Sequence, residues 1–304
     1  MNPYLFSAVH IVLALVASPL MLGIINRTKA VMAGRSGQPI LQGYFDIIKQ
    51  LRKGAVYSRT TSWIFRAGPI VNLVTMIVGL LLVPFAGGAA LLAFEGDLVL
   101  LAYVLGLARF FTVVAALDTG SAFEGMGASR EVTFSMLIEP ALFVGLFALS
   151  RLSHSLSLSG ILYTSGVTGW SIGAPALVAA AFFVLYLAEN ARIPVDDPAT
   201  HLELTMIHEV MVLDHSGPDF AFIQYAGALK LWLLGALFVG VFSPNLTGAG
   251  LWIREGYALV GMILLAIAVG IVESSMARLR LLGVPQLLVG AGALSMLAAI
   301  LVLG

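Results

Sequence analysis

The 304-residue chain has no cysteine, and only 11% of its residues are charged. An ordinary soluble domain carries about 25% charged residues. Without thiolates the chain holds neither iron–sulfur clusters nor finger-type zinc, and no disulfide reports its redox compartment. If it serves a redox enzyme, the electron carriers sit on other chains. Sixteen basic and sixteen acidic residues cancel to a formal charge of zero, which argues against nucleic acid as a partner. A phosphate loop and a nucleophile–base–orienter set are also missing. Gly125-Met126-Gly127 lacks the third glycine and the preceding strand of a dinucleotide fingerprint. A catalytic centre of its own is not expected.

What fills the chain instead is apolar: 60% hydrophobic residues and a mean hydropathy of +1.00. A soluble monomer could not bury that surface, whereas spans of about 20 residues absorb it. Hydropathy places eight spans near 4–25, 66–85, 98–117, 132–151, 173–191, 220–242, 256–276 and 284–303. The first is expected to be retained, because no basic stretch precedes it. Lipid-facing backbone must satisfy its own hydrogen bonds, so the spans are helical. The expected fold is therefore all-α: one polytopic transmembrane domain, 1–304, in a cytoplasmic (inner) membrane. No internal repeat supports an inverted-repeat transporter.

Basic residues orient the spans. Arg27, Lys29, Arg35, Lys49, Arg52, Lys53, Arg59 and Arg66 flank or fill the first loop, and Arg130, Arg192, Arg278 and Arg280 fall on the same side. Arg151 and Arg254 alone occupy the opposite side. The positive-inside rule then puts both termini outside, with cytoplasmic loops near 26–65, 118–131, 192–219 and 277–283. Within the first loop, Ile40, Leu41, Tyr44, Phe45, Ile48 and Leu51 recur at helical spacing opposite Gln42, Asp46, Lys49, Gln50 and Lys53. This amphipathic helix lies on the membrane surface or packs under a partner.

Arg109, Glu139, Glu189, Lys230 and Glu273 fall inside spans. Each costs about 2.5–3.5 kcal/mol if it faces lipid, so such residues face protein or water. Two readings stay open for Glu139: a proton or ion site, or structural pairing with Arg109 or Lys230. Glu189 and Arg192 are close enough to pair if the helix persists between them. Asp197-Pro198 has the form of an N-cap, beginning a helix that carries Glu203 and Glu209. With Asp196 these acids gather at the mouth of the bundle. His201, His208 and His215 lie on a polar stripe of that helix. Their seven-residue steps, about 10.5 Å on a helix, are too long for one metal ion, so no metal site is expected.

Three stretches resemble the NuoH-type membrane-protein family of respiratory complex I and its relatives in membrane-bound [NiFe] hydrogenases. Arg35-Ser36-Gly37, Pro39, Asp46 and Lys49 resemble the family's Arg-x-Gly-Pro…Asp-x-x-Lys loop. Gly127-Ala128-Ser129-Arg130 with Glu139 parallels Gly-Ala-Leu-Arg and a buried Tyr-Glu. Glu189-Asn190-Ala191-Arg192-Ile193-Pro194-Val195-Asp196 is close to Glu-Thr-Asn-Arg-x-Pro-Phe-Asp. Where complex I proteins continue with Leu-Pro-Glu-Ala-Glu-x-Glu, this chain has Asp197, Pro198, Ala199, Thr200, His201, Leu202 and Glu203. That run looks most like the hydrogenase-4 and formate hydrogenlyase-type branch.

The resemblance implies a heel subunit that docks a peripheral arm through the loop of Arg35, Asp46 and Lys49. It implies coupling of electron transfer to proton or sodium movement through Arg130, Glu139, Glu189, Arg192, Asp196, Glu203, Glu209 and Lys230. Expected partners are a [NiFe] hydrogenase large subunit, an iron–sulfur small subunit, antiporter-like membrane subunits and the lipid bilayer. The [NiFe] and iron–sulfur centres are expected on those partners, and no cofactor on this chain. The alternative is the quinone-chamber subunit of a NADH-quinone oxidoreductase-like complex. Replacement of two family glutamates by Ala199 and His201 argues against quinone. A free-standing ion transporter is the least favoured reading.

Overall fold

The computed structural model describes residues 3–164, 173–197, 206–242 and 250–303. The described residues contain helices and connecting loops, and no strand. In chain order the α-helices are α1 (Pro3–Met32), α2 (Gln42–Leu51), α3 (Trp63–Leu82), α4 (Asp97–Asp118), α5 (Ala122–Ser153), α6 (Leu158–Thr164), α7 (Gly173–Glu189), α8 (Gly217–Phe242), α9 (Leu251–Ser275) and α10 (Gly283–Leu303). Among the described residues, seven helices are long and apolar enough to cross a membrane: α1, α3, α4, α5, α8, α9 and α10. The remaining expected span, α7, has 17 residues, at the lower end of what a bilayer core requires. The chain is a multi-pass membrane protein. Helix α5 begins ten residues earlier than hydropathy places its span, so most of the expected loop 118–131 is helix.

Helix α8 is the central element. It packs against α1, α2, α3, α6, α7 and α9. Leu231, Trp232, Leu233 and Leu234 are all buried although they point in successive directions, as a helix surrounded by others requires. The outer helices keep apolar side chains exposed, including Val12, Tyr103, Phe110, Met136, Val260 and Ile300. In a membrane these are the lipid- or partner-facing surface.

The amphipathic helix forms as expected, but its faces have specific partners. Phe45, Ile48 and Leu51 point out of the bundle. Asp46, Gln50 and the following Lys53 instead line a cavity. Helix α2 thus presents its apolar side outward and lines the cavity with its polar side. Gly43 sits against Pro19 of α1, and the Tyr44 hydroxyl donates to the Val16 carbonyl.

Candidate functional site

Four helices bring one charge cluster together. Arg109, from the middle of α4, reaches three carboxylates. Its Nε donates to Glu131 at 3.2 Å, Nη2 donates to Glu189 at 2.5 Å, and Nη1 donates to Glu139. Lys230 of α8 meets the other oxygen of Glu189 at 2.7 Å. The planar guanidinium fork suits this task, because one cation can hold several carboxylates at fixed angles. With every group ionised, three carboxylates face two cations, so binding one proton makes the cluster neutral. Glu189 keeps only 6% of its side chain exposed, whereas Glu139 keeps 40%. The inner carboxylate is locked, and the outer one opens onto the bundle surface between α4 and α5.

The end of α7 divides this cluster from a second. Ala191 adopts φ +50°. Arg192 N–H donates to the Leu187 carbonyl at 2.8 Å and Ala191 N–H to that of Ala188 at 3.1 Å, the pattern of a helix-terminating Schellman motif. The turn reverses the chain, and Arg192 points to Glu273 of α9 at 3.4 Å. Glu273 also holds Lys29 of α1 at 2.7 Å. Beyond the turn Asp196, only 2% exposed, ties three segments together. It accepts from Ile207 N–H and His208 N–H at 3.1 Å each and pairs with Arg278 at 2.9 Å. Leu279 N–H adds a bond to the Pro194 carbonyl.

Segment 206–216 closes the site. Arg130 donates to the Met206 carbonyl at 2.8 Å, and buried Glu124 accepts Asp214 N–H at 3.1 Å. Gly127 lets the segment approach α5: a Cβ there would lie 3.0 Å from the Ile207 carbonyl oxygen. The segment enters α8 through Gly217, whose φ of +57° and closeness to the Gly54 carbonyl leave no room for a side chain. His215 stacks on Phe65 with ring centroids 3.9 Å apart, and burial lowers its pKa to about 4. Burial lowers the His208 pKa as well, so both imidazoles rest neutral at physiological pH.

Between α1, α2, α8 and this segment lies a cavity of about 760 Å³. Lys29, Asp46, Glu189, His208, Glu209 and Lys230 line it among apolar side chains. Its walls reach both charge clusters.

The structure gathers the expected residues unequally. Glu139, Glu189 and Lys230 meet in the first cluster, while Asp46 and Glu209 share the cavity. Arg130 serves the backbone of segment 206–216. Arg35 and Lys49 are exposed on the first loop. Glu203 and His201 lie outside the described residues. Two expectations are corrected. Glu189 and Arg192 do not pair, because the left-handed Ala191 ends α7 between them. Glu209 and His208 do not ride on a long surface helix: residues 206–208 are non-helical, and Glu209–Val212 forms one 3-10 turn. His208 and His215 accordingly face inward, not along an exposed stripe. Glu131 was not singled out, since nothing in its sequence context marks its helix face. No group of three or more metal-ligating side chains occurs among the described residues.

The family model for NADH dehydrogenase matches residues 5–304. The chain belongs to that family. It is 32% identical over 287 residues to formate hydrogenlyase subunit 4 of Escherichia coli, covering 91% of each chain. Hydrogenase-4 component C of the same organism is 32% identical over 285 residues, covering 91% of this chain and 89% of that one. The NuoH-type subunit of the NADH-quinone oxidoreductase of Rubrobacter xylanophilus is 28% identical over 214 residues, 68% of this chain and 64% of that one. The fold matches a chain of the membrane-bound sulfane sulfur reductase, an archaeal respiratory membrane complex, with a TM-score of 0.84 and 22% identity. That match covers 99% of this chain and 100% of the other. The relatives named as subunits and components belong to multisubunit complexes, and the NuoH-type resemblance read from the three motifs holds.

Proposed function

We propose that this protein is the membrane heel of a complex I-like, energy-converting hydrogenase of the formate hydrogenlyase or hydrogenase-4 type. It docks a [NiFe] large subunit and an iron–sulfur small subunit on the face carrying the first loop, Arg35 and Lys49. It passes their turnover to ion-moving, antiporter-like membrane subunits. The positive-inside pattern supports a cytoplasmic position for that face and for both loops around Asp46 and Asp196. The cofactors belong to the partners, and protons or sodium ions are the cargo.

The observation that carries the reading is the continuity from cavity to cluster. Segments that an arm can touch, α2 and 206–216, wall a cavity that ends on Glu189 and Lys230. Glu189 continues through Arg109 to Glu131 and Glu139. Moving either segment alters the surroundings of a cluster that neutralises on binding one proton. Burial favours the neutral carboxyl, and a nearby cation favours the charged one, so a small shift of Arg109 changes proton affinity. The exposed flank of Glu139 supports an outlet toward another membrane subunit, because a half-exposed carboxylate facing lipid is costly.

The test is Glu139→Gln in the purified assembly, reconstituted in vesicles. Protons moved per electron should fall while electron transfer from an artificial donor continues. An unchanged ratio removes Glu139 from the path.

The volume of the cavity and its apolar walls favour one second reading, a quinone-chamber subunit. Extraction of bound quinone from the purified assembly, in place of co-purifying nickel and iron–sulfur chains, would select it.

A further inference from the structure

Two smaller cavities flank the large one. The first, about 40 Å³, is lined by Asn72, Arg109, Glu131, Glu189, His208 and Lys230 among others. The second, about 10 Å³, is lined by Glu131, Glu189, Asp196 and His208 among others. Among the described residues, only Glu189 and His208 line all three cavities. Glu189 has both oxygens committed, one to Arg109 and one to Lys230. The His208 ring is differently placed. Its backbone N–H is held by Asp196, while neither ring nitrogen has a hydrogen-bond partner among the described residues. Glu131 offers a matching vacancy: Arg109 takes one oxygen, and the other has no partner among the described residues.

We propose that His208 relays protons between the large cavity and the buried cluster, with Glu131 as its partner on the cluster side. The proposal rests on the coupling role above and names the group that admits protons to it. The charged groups facing His208 are Glu131 of α5, Glu189 of α7, Lys230 of α8 and Asp196 of the preceding loop. Three carboxylates against one ammonium stabilise a transient imidazolium that burial otherwise disfavours. A neutral imidazole has one bare nitrogen and one N–H. A proton added to the bare nitrogen from the cavity side forms the imidazolium. The opposite N–H then gives its proton to the Glu131 carboxylate, leaving a protonated Glu131 and a neutral imidazole in the other tautomer. Rotation of the ring then turns the new N–H toward Glu131 and the bare nitrogen back toward the cavity, so the next proton follows the same course.

The Asp196 bonds fix the backbone of this segment. His208 is therefore tied through Asp196 to the segment 189–197 that joins the two charge clusters, and a shift of that segment aims or withdraws the ring.

The test uses the whole assembly reconstituted in vesicles, with proton movement read per electron transferred. His208→Gln and Glu131→Gln should each lower the ratio about a hundredfold, the low end of what a positioned acid–base group contributes. The double variant should be no worse than either single one. In His208→Ala, added imidazole should enter the large cavity and restore proton movement, with a pH dependence that follows the added base. Ratios equal to the unaltered assembly in both single variants overturn the relay. Failure of imidazole to restore movement in an assembled His208→Ala complex overturns it too. If His208 variants do not assemble, Glu131→Gln decides alone. An unaltered assembly that moves no protons is a different result: it removes the coupling role itself.

Discussion

Glu189 and Arg192 are three residues apart, and they belong to different charge clusters. Glu189 is held between Arg109 and Lys230, and Arg192 joins Lys29 on Glu273. The left-handed turn at Ala191 separates them. With all groups ionised the first cluster carries one excess negative charge and the second one excess positive charge. The link between them is the segment 189–197. An element that bridges two oppositely charged sites can bias both by moving little.

The two ends of that link should differ in what their loss costs. Glu189→Gln removes a buried partner from two cations at once, and breaking a buried pair costs about 3–5 kcal/mol. Arg192→Gln leaves Glu273 its 2.7 Å contact with Lys29, so its cost should be nearer 1–3 kcal/mol. Thermal denaturation of the detergent-purified assembly measures both. Equal shifts would contradict the division into two clusters.

Arg109→Gln should be among the most destabilising changes, because Glu131 and Glu139 lose their cation together. Adding Glu131→Gln and Glu139→Gln removes the stranded charges and should recover part of the loss. The coupling should be about 0.5–3 kcal/mol. Strictly additive shifts in the combined variant would mean that Arg109 does not hold those carboxylates in solution.

The motif from Glu189 to Asp196 was legible in the sequence because its residues lie together along the chain. Lys230, Glu139 and Arg109 were visible as charges inside apolar runs, which is where burial is forced. Pairing of Glu139 with Arg109 was one of the two readings left open, and the structure has it. That Glu189 and Lys230 join the same cluster was not legible, since α4, α5, α7 and α8 converge only in three dimensions. Glu131 was missed because it falls in helix that hydropathy places outside the span. The 206–216 segment misled for a different reason. Its polar spacing fits a helix, but Asp196 takes the Ile207 and His208 N–H groups and turns the chain inward.

His215 makes stability depend on pH. Its folded pKa is about 4, lowered by burial from 6.5. As pH falls below 6.5 the unfolded chain binds a proton that the folded chain refuses, so stability declines down to about pH 4. The decline from this group is at most about 3 kcal/mol. His215→Phe keeps an aromatic ring against Phe65 and should flatten the dependence in melts run between pH 7 and 4. A slope unchanged by that substitution would assign the effect to other groups.

Gly127→Ala should loosen segment 206–216 without touching any charge. The added Cβ would meet Met211 at 2.9 Å and the Ile207 carbonyl at 3.0 Å, and overpacking of this kind costs about 1–3 kcal/mol. Amide hydrogen exchange should rise in the peptide containing His208, while α8 beyond Gly217 stays protected. Uniform exchange across both would show that the clash is relieved elsewhere.

Asp196→Asn tests whether one carboxylate organises the whole mouth of the site. Asp196 accepts from three backbone N–H groups, those of Asp197, Ile207 and His208, and from Arg278, an arrangement that needs both oxygens. An amide keeps only one acceptor oxygen and brings two donors, so one or more of these buried donors goes unpaired, at about 1–3 kcal/mol each. The substitution should therefore free segment 206–216 at one end and the α9–α10 connection at the other. Exchange should increase around Ile207 and Leu279 together, although 72 positions separate them in the chain. Arg278→Gln should raise exchange near Leu279 and spare Ile207, because the backbone bonds to Asp196 survive. If Arg278→Gln loosened both segments equally, the ion pair, and not the carboxylate's backbone bonds, would be holding segment 206–216 in place.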